Sequence, residues 1–180
     1  MSQFKQQFLN SELDIKDEWE TPNWIFTRLG SIFQFTIDAA ATRENRKRRR
    51  YWSIEDNGLE QNWKSEVVFC NPPFTKGKYK HWIKKAADEH KENGVESVLV
   101  LPYKPETRAF WDVWDYARYL VLPRRRTKFY PPGWKSGDPL GSPTFYACIV
   151  CFTRPLELFQ LTSLNKVGRI IDLYKGLFRL

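Results

Sequence analysis

Apolar residues recur along the chain at two spacings, one of three and four residues and one of two, separated by short polar stretches. Residues 1–16 show neither spacing and read as a loose lead-in. Thr21-Pro22 has the form of an N-cap followed by proline at the first helical position, and Ile25, Phe26, Leu29, Ile32 and Phe33 continue it as a helix. Phe33, Phe35 and Ile37 then alternate up to Asp38, which predicts a strand with an acid at its tip, followed by the small residues Ala39, Ala40 and Ala41. Tyr51-Trp52 opens a short strand. Val67-Val68-Phe69 is a buried strand that stops at Asn71-Pro72-Pro73. Trp82, Ile83, Ala86 and Ala87 make a helical stripe closed by Asn93-Gly94, and residues 98–101 form another buried strand. Strand, helix and strand in that order predict a crossover unit of a parallel sheet.

Farther on, Phe110, Trp111, Trp114 and Ala117 mark a helix over 107–117, followed by strands over 119–122 and 144–152, the latter the last of the sheet. Between them runs a stretch rich in Gly and Pro with Trp134 inside it and Arg124, Arg125 and Arg126 before it. That stretch is either a recognition loop or a flexible hairpin without a partner. Val167, Ile170, Ile171, Tyr174, Leu177 and Phe178 recur at three and four, which predicts an amphipathic helix in a 155–180 extension. The stripe packs on its own domain or pairs two subunits in a homodimer.

Length and charge narrow the class. A chain of 180 residues builds one full core, here over 17–154, and leaves no room for a large separate recognition domain. The net charge of +8 favours a polyanionic partner, and eight Trp exceed what a small core needs, so some can stack on bases. The run Arg43, Arg46, Lys47, Arg48, Arg49 and Arg50 is a solvated face or a phosphate contact. Three cysteines, all in apolar runs, argue against a disulfide framework and for a reducing compartment. Cys148 and Cys151 have metal-motif spacing but sit in a strand pattern, which favours buried thiols. Two histidines in one charged segment make no metal cluster, and no run is long enough to span a membrane, so a cytoplasmic protein is expected.

The candidate chemistry lies in Asn71-Pro72-Pro73-Phe74. Two prolines fix φ and remove two backbone donors, so the carbonyls of Asn71 and Pro72 are rigidly aimed. Phe74 adds an aromatic face, a combination that suits a flat, amino-bearing ring. An exocyclic amine is a poor nucleophile because its lone pair is delocalised. The Asn71 side-chain oxygen and the Pro72 carbonyl can take both amine hydrogens and favour a pyramidal, reactive nitrogen, with no Ser, Cys or His nucleophile needed. The bland alternative is a turn that merely ends a strand.

Together, residues 19–22, 35–42, Glu44-Asn45, Tyr51, 55–59, Trp63 and 69–74 resemble the phage-type DNA adenine-N6 methyltransferase family, over about residues 19–152. The resemblance implies a Rossmann-like class I methyltransferase fold, an α/β sheet mostly parallel with an antiparallel edge hairpin and helices on both faces. It implies S-adenosylmethionine as cofactor and site-specific transfer of methyl to the N6 amine of adenine in DNA. Asn71, Pro72, Pro73 and Phe74 would be catalytic, with Asn71 also touching the cofactor. Asp38, Ala39 and Ala40 would stand at the cofactor, with Thr21 and Pro22 near its methionine end and Asp56 accepting from its adenine amine. Thr21-Pro22 is also a plain helix start, Asp38 also a cap, and the acids around Asn57-Gly58 also an ordinary turn. Lys76, Lys78, Arg124, Arg125, Arg126 and Trp134 would hold DNA, as a duplex with the adenine flipped out or as a single strand, in a bacterium or a phage-infected host. RNA adenine, cytosine N4 and protein glutamine are other amino acceptors such a site can serve. A nucleic-acid-binding domain without catalysis also remains open.

Overall fold

The computed structural model describes residues 15–140 and 145–176. Most of the expected lead-in, Gly141 to Thr144 of the expected loop, and Leu177 and Phe178 of the tail stripe lie outside them. Among the described residues six strands form one sheet: β1 (Ile37–Asp38), β2 (Val67–Cys70), β3 (Glu96–Pro102), β4 (Tyr119–Pro123), β5 (Ala147–Phe152) and β6 (Gly168–Asp172). Their order is β1-β2-β3-β5-β4-β6. The first two pairings are parallel, and the three between β3 and β5, β5 and β4, and β4 and β6 are antiparallel. The expectation of a mostly parallel sheet with an antiparallel edge hairpin is therefore corrected to a mixed sheet. A parallel return needs a crossover, usually a helix. Among the described residues none intervenes between β4 and β5, so β5 comes back antiparallel. It does so inside the sheet, beside β3, because β5 is buried along its whole length and an edge would expose it.

Among the described residues five α-helices flank the sheet: α1 (Asn23–Phe33), α2 (Tyr79–Asn93), α3 (Trp111–Tyr116), α4 (Leu158–Asn165) and α5 (Leu173–Gly176). Alternate strand residues go to opposite faces. Val68, Leu99, Leu120 and Val150 share one cluster with Ile83 and Ala86 of α2 and Val113 of α3. Phe69, Val98, Val121 and Ile149 share the other with Ile25 and Leu29 of α1 and Leu164 of α4. Helices on both faces follow from this division. So does the fate of the cysteines. Cys148 belongs to the first cluster and Cys151 to the second, and burial pushes both thiols far above their ordinary value. Residues three apart in a strand point to opposite faces, so this pair cannot share a ligand.

Three local expectations change. The helix starts one residue later than Thr21-Pro22 suggested: Pro22, at ψ 137°, is the cap, and its carbonyl accepts from Ile25 N and Phe26 N at 3.0 and 3.1 Å. Phe33 ends α1 instead of beginning a strand, because Gln34 turns left-handed at φ 52° and closes on the Gly30 carbonyl. The tail is not one amphipathic helix. Among its described residues, α4 precedes the pattern, β6 occupies Gly168–Asp172 along β4, and a single helical turn follows. Gly168 allows this: a Cβ there would lie 2.2 Å from the Leu122 carbonyl oxygen, so the backbones pack as only glycine permits. A homodimer seam along a helical stripe loses its premise.

Gly168→Ala is expected to lower unfolding free energy by about 2 kcal/mol in a urea titration, because the new methyl meets fixed backbone. Gly30→Ala, within α1 where an added Cβ meets nothing within 4 Å, should raise it by about 1 kcal/mol. Equal effects at the two sites would refute the packing explanation.

Candidate active site

The carboxyl ends of β1 and β2 lie side by side, since Ile37 pairs with Val68 and Asp38 with Phe69. Residues leaving those ends must meet: Ala39 to Ala41 from one, Asn71 to Phe74 from the other. Residues 17–23 are laced to both. The Trp19 carbonyl accepts from Asn71 Nδ2 at 2.7 Å, and the Glu18 carbonyl from Asn45 Nδ2 at 3.2 Å. The Asp17 carboxylate accepts from the N–H groups of Phe74 and Thr75 at 2.8 and 2.9 Å and from the Thr75 hydroxyl. Lys47 Nζ reaches Glu20 at 2.9 Å and Asn23 at 2.8 Å. This strap holds the catalytic candidates on one side and opens α1 on the other.

The bond from Asn71 to Trp19 decides how the amide stands. Its nitrogen has an acceptor, while Oδ1 is buried and has no partner among the described residues. An amide tied at nitrogen presents only its oxygen. Pro72 is buried and Pro73 reaches the adjoining pocket. Phe74 is packed edge-to-face against Phe145 at 5.2 Å and Phe129 at 6.3 Å, which fixes its plane.

The pocket is a cleft open to solvent, with a cavity volume of about 110 Å³. Ala39, Ala40 and Ala41 form one wall and Asn57, Gly58 and Leu59 another. Gly58 is the tight point, since a Cβ there would lie 2.2 Å from the Ala39 carbonyl oxygen and 2.9 Å from the Trp82 ring. Trp63, fully buried, donates Nε1–H to the Gly58 carbonyl at 2.9 Å and so holds the turn in place. Trp82, which its stripe marks as core, also lines the pocket, and its buried Nε1–H has no acceptor among the described residues. A polar N–H on an otherwise apolar stripe was the one sign of this second role. Asp17 and Glu18 complete the rim; they stand where the sequence showed no periodicity and were missed.

Asp38 is 2% exposed. Burial raises its pKa to about 6, against the lowering influence of the Lys47 N–H, which donates to Oδ2 at 2.9 Å. Oδ1 has no partner among the described residues, and the same holds for the hydroxyl of Thr21, which is 1% exposed and makes no cap bond.

Other candidates fall elsewhere. Asp56 does not line the pocket; its Oδ2 accepts from the Ser53 N–H at 2.8 Å and the Ser53 hydroxyl at 2.9 Å, closing the turn that carries Asn57. Lys78, expected at a phosphate, is turned inward to Asp17 at 3.5 Å and lines the pocket, because the Asp17 carboxylate is almost wholly buried. Lys76 is exposed. Arg124, Arg125 and Arg126 are exposed on a separate groove, with Arg126 over the Tyr146 ring at 4.9 Å. Trp134 stacks on Tyr130 at 4.5 Å and donates to the Asp138 carbonyl at 2.9 Å, so this part of the expected loop is folded on itself.

The raised pKa of Asp38 has a definite sign. The folded protein holds its proton up to about pH 6 while the unfolded chain releases it near 3.8, so this group's stabilisation is lost as pH rises through that window. Against Asp38→Asn, the native protein should lose roughly 3 kcal/mol between those limits and nothing further above them. A constant difference across that range would show that Asp38 titrates normally.

The sequence profile described as DNA N-6-adenine-methyltransferase (Dam) matches residues 9–165. The DNA N-6-adenine-methyltransferase of Escherichia phage T1 is 29% identical over 109 residues, 59% of this chain and 44% of that protein, so the chain spans under half of that relative's length. A candidate methyltransferase of Escherichia coli K12, YfdM, is 31% identical over 68 residues, 34% of this chain and 75% of the other. Among solved structures, a candidate RNA methyltransferase of Pyrococcus horikoshii is similar at TM-score 0.46 and 15% identity, covering 87% of this chain and all of that one. With 157 of its 180 residues inside the matched profile, and with Asn71 to Phe74 and the pocket inside it too, the chain belongs to the DNA N-6-adenine-methyltransferase (Dam) family.

Proposed function

We propose that this protein is a site-specific DNA methyltransferase that transfers a methyl group from S-adenosylmethionine to the N6 amine of adenine. The observation that carries the reading is the Asn71 amide, anchored through nitrogen to the Trp19 carbonyl with a buried, unpartnered oxygen at the end of β2. That oxygen and the Pro72 carbonyl accept the two N6 hydrogens, draw the lone pair out of the ring, and orient it. When bound, S-adenosylmethionine supplies an electrophilic methyl group on sulfur, whose S–C bond breaks as the N–C bond forms. The proton shed by the nitrogen passes to solvent, since neither amide oxygen is basic enough to keep it. Phe74, held by Phe129 and Phe145, gives the adenine an aromatic surface.

The pocket beside Pro73 suits the cofactor. Gly58 and the alanines bring backbone close to a ligand, and Trp82 holds an unused N–H there. Of the expected cofactor residues, Ala39 and Ala40 line the pocket and Asp38 precedes them at the end of β1, whereas Thr21 and Pro22 do not line it and Asp56 shapes the turn that presents Asn57. A base in a duplex cannot reach Asn71, so the target is flipped out or comes from a single strand. Lys76 and the arginines after β4 meet phosphate. The reaction takes place in the cytoplasm of a bacterium or phage-infected cell, where the substrate is.

Incubation with tritiated methyl donor and unmethylated DNA, followed by nucleoside analysis, should give N6-methyladenine. Asn71→Ala should lower the rate by a factor of about 10² or more, while donor binding persists by calorimetry. Label on cytosine, on RNA alone or on protein would replace the acceptor; full turnover by the variant would remove Asn71 from the chemistry.

A further inference from the structure

A second groove lies on the far side of the strap. It is bounded by Pro22 and Trp24 at the start of α1, by the segment after β4 from Arg124 to Lys128, and by Lys166 at the end of α4. Five basic residues line it and no acidic one does, in a chain with 29 basic and 21 acidic residues, so the sign is concentrated here. Trp24 stands on its wall 49% exposed. Thr127 also lines it, is 4% exposed, and has a hydroxyl without a hydrogen-bond partner among the described residues. Buried polar groups are ordinarily paired, so a hydroxyl in this state on a basic wall has the chemistry of a phosphate contact.

The groove is coupled to the catalytic amide through the strap. Tyr130, on its wall, pairs with Glu20 by two backbone hydrogen bonds of 2.8 and 3.0 Å, and Trp19 holds Asn71. From Trp19 to Pro22 the chain spans at most about 10 Å. A nucleotide flanking the target therefore fits in the groove while the target base lies at Asn71. We propose that this groove binds the DNA strand beside the target adenine, with a base stacked on Trp24 and the phosphates held by Arg124, Arg125, Lys128, Lys166 and the Thr127 hydroxyl. The proposal rests on the reading of DNA as substrate; it adds Trp24, Thr127 and Lys166, none of which the sequence singled out.

Binding of the full-length protein to a fluorescein-labelled oligonucleotide, duplex and single-stranded, read by anisotropy without cofactor, tests it apart from catalysis. Trp24→Ala should weaken binding about tenfold with little change in salt dependence. Arg124→Ala with Lys166→Ala should weaken it and lower the slope of log affinity against log salt by about 0.9 for each phosphate that is no longer neutralised. Lys64→Ala, exposed and outside the groove, should bind as the native protein does. Native affinity and slope in the groove variants would overturn the proposal, and so would an RNA of the same sequence binding more tightly with the same losses. A native protein that binds no DNA overturns both this and the proposed substrate. Binding losses as expected without any methylation of DNA leave the groove standing and overturn the enzyme reading.

Discussion

The hydrogen bond from the Asn71 amide to the Trp19 carbonyl is the constraint around which the site is built. An asparagine side chain can present a donor or an acceptor, and in the proposed reaction only an acceptor would draw out the lone pair of an amine. Giving the nitrogen to a backbone carbonyl removes the ambiguity. The cost is a buried oxygen without a partner, about 1–3 kcal/mol. Such atoms are not scattered. Among the described residues seven buried side-chain polar atoms lack a partner, and four belong to Thr21, Asp38, Asn71 and Trp82, on the strap, the two strand ends and the pocket wall. A fifth is the Thr127 hydroxyl. Folding alone gives no reason to collect these losses in one place, whereas ligands that satisfy them do.

The mixed sheet delivers the parts in two ways. Parallel pairing of β1 and β2 brings their carboxyl ends to one edge, the usual position for a ligand in an open α/β sheet. The antiparallel half supplies the support. Because β5 runs against β3, Ala147 pairs with Pro102, and Phe145 just before it arrives at the same end of the sheet as Phe74, perpendicular to it. A parallel β5 would have carried Phe145 to the opposite end. The segment after β4 likewise returns to the strap through Tyr130 and Glu20.

Local chemistry was legible where it was autonomous. The stop at Asn71-Pro72-Pro73, the alanines after Asp38 and the stripe from Trp82 to Ala87 each carry their signal within a few residues, and each forms the expected strand end, pocket wall or helix. What misled was decided by distant partners. Val167, Ile170, Ile171 and Tyr174 fit a helical period as well as a strand, and the choice was made by Gly168 against the Leu122 backbone and by β4 with an open side. Lys78 looked like a surface cation because nothing nearby in sequence announces Asp17, which is 61 positions away and buried. Asp17 itself lies in a stretch without periodicity, and only the turn after Phe74 gives its carboxylate a purpose.

Charge is sorted by the same strap. Among the described residues, the pocket on one side has the carboxylates of Asp17 and Glu18 at its rim, and its one cation, Lys78, is paired to Asp17. The groove on the other side is lined by five basic residues and no acidic one. A sulfonium donor carries positive charge at the reacting atom, and a polynucleotide carries one negative charge per phosphate. On the proposed function, a donor in the pocket and a nucleic acid in the groove would each meet opposite charge in its own compartment, which would discourage the polyanion from filling the small pocket. On that reading the two would need to meet only where Asn71, Pro72 and Phe74 stand.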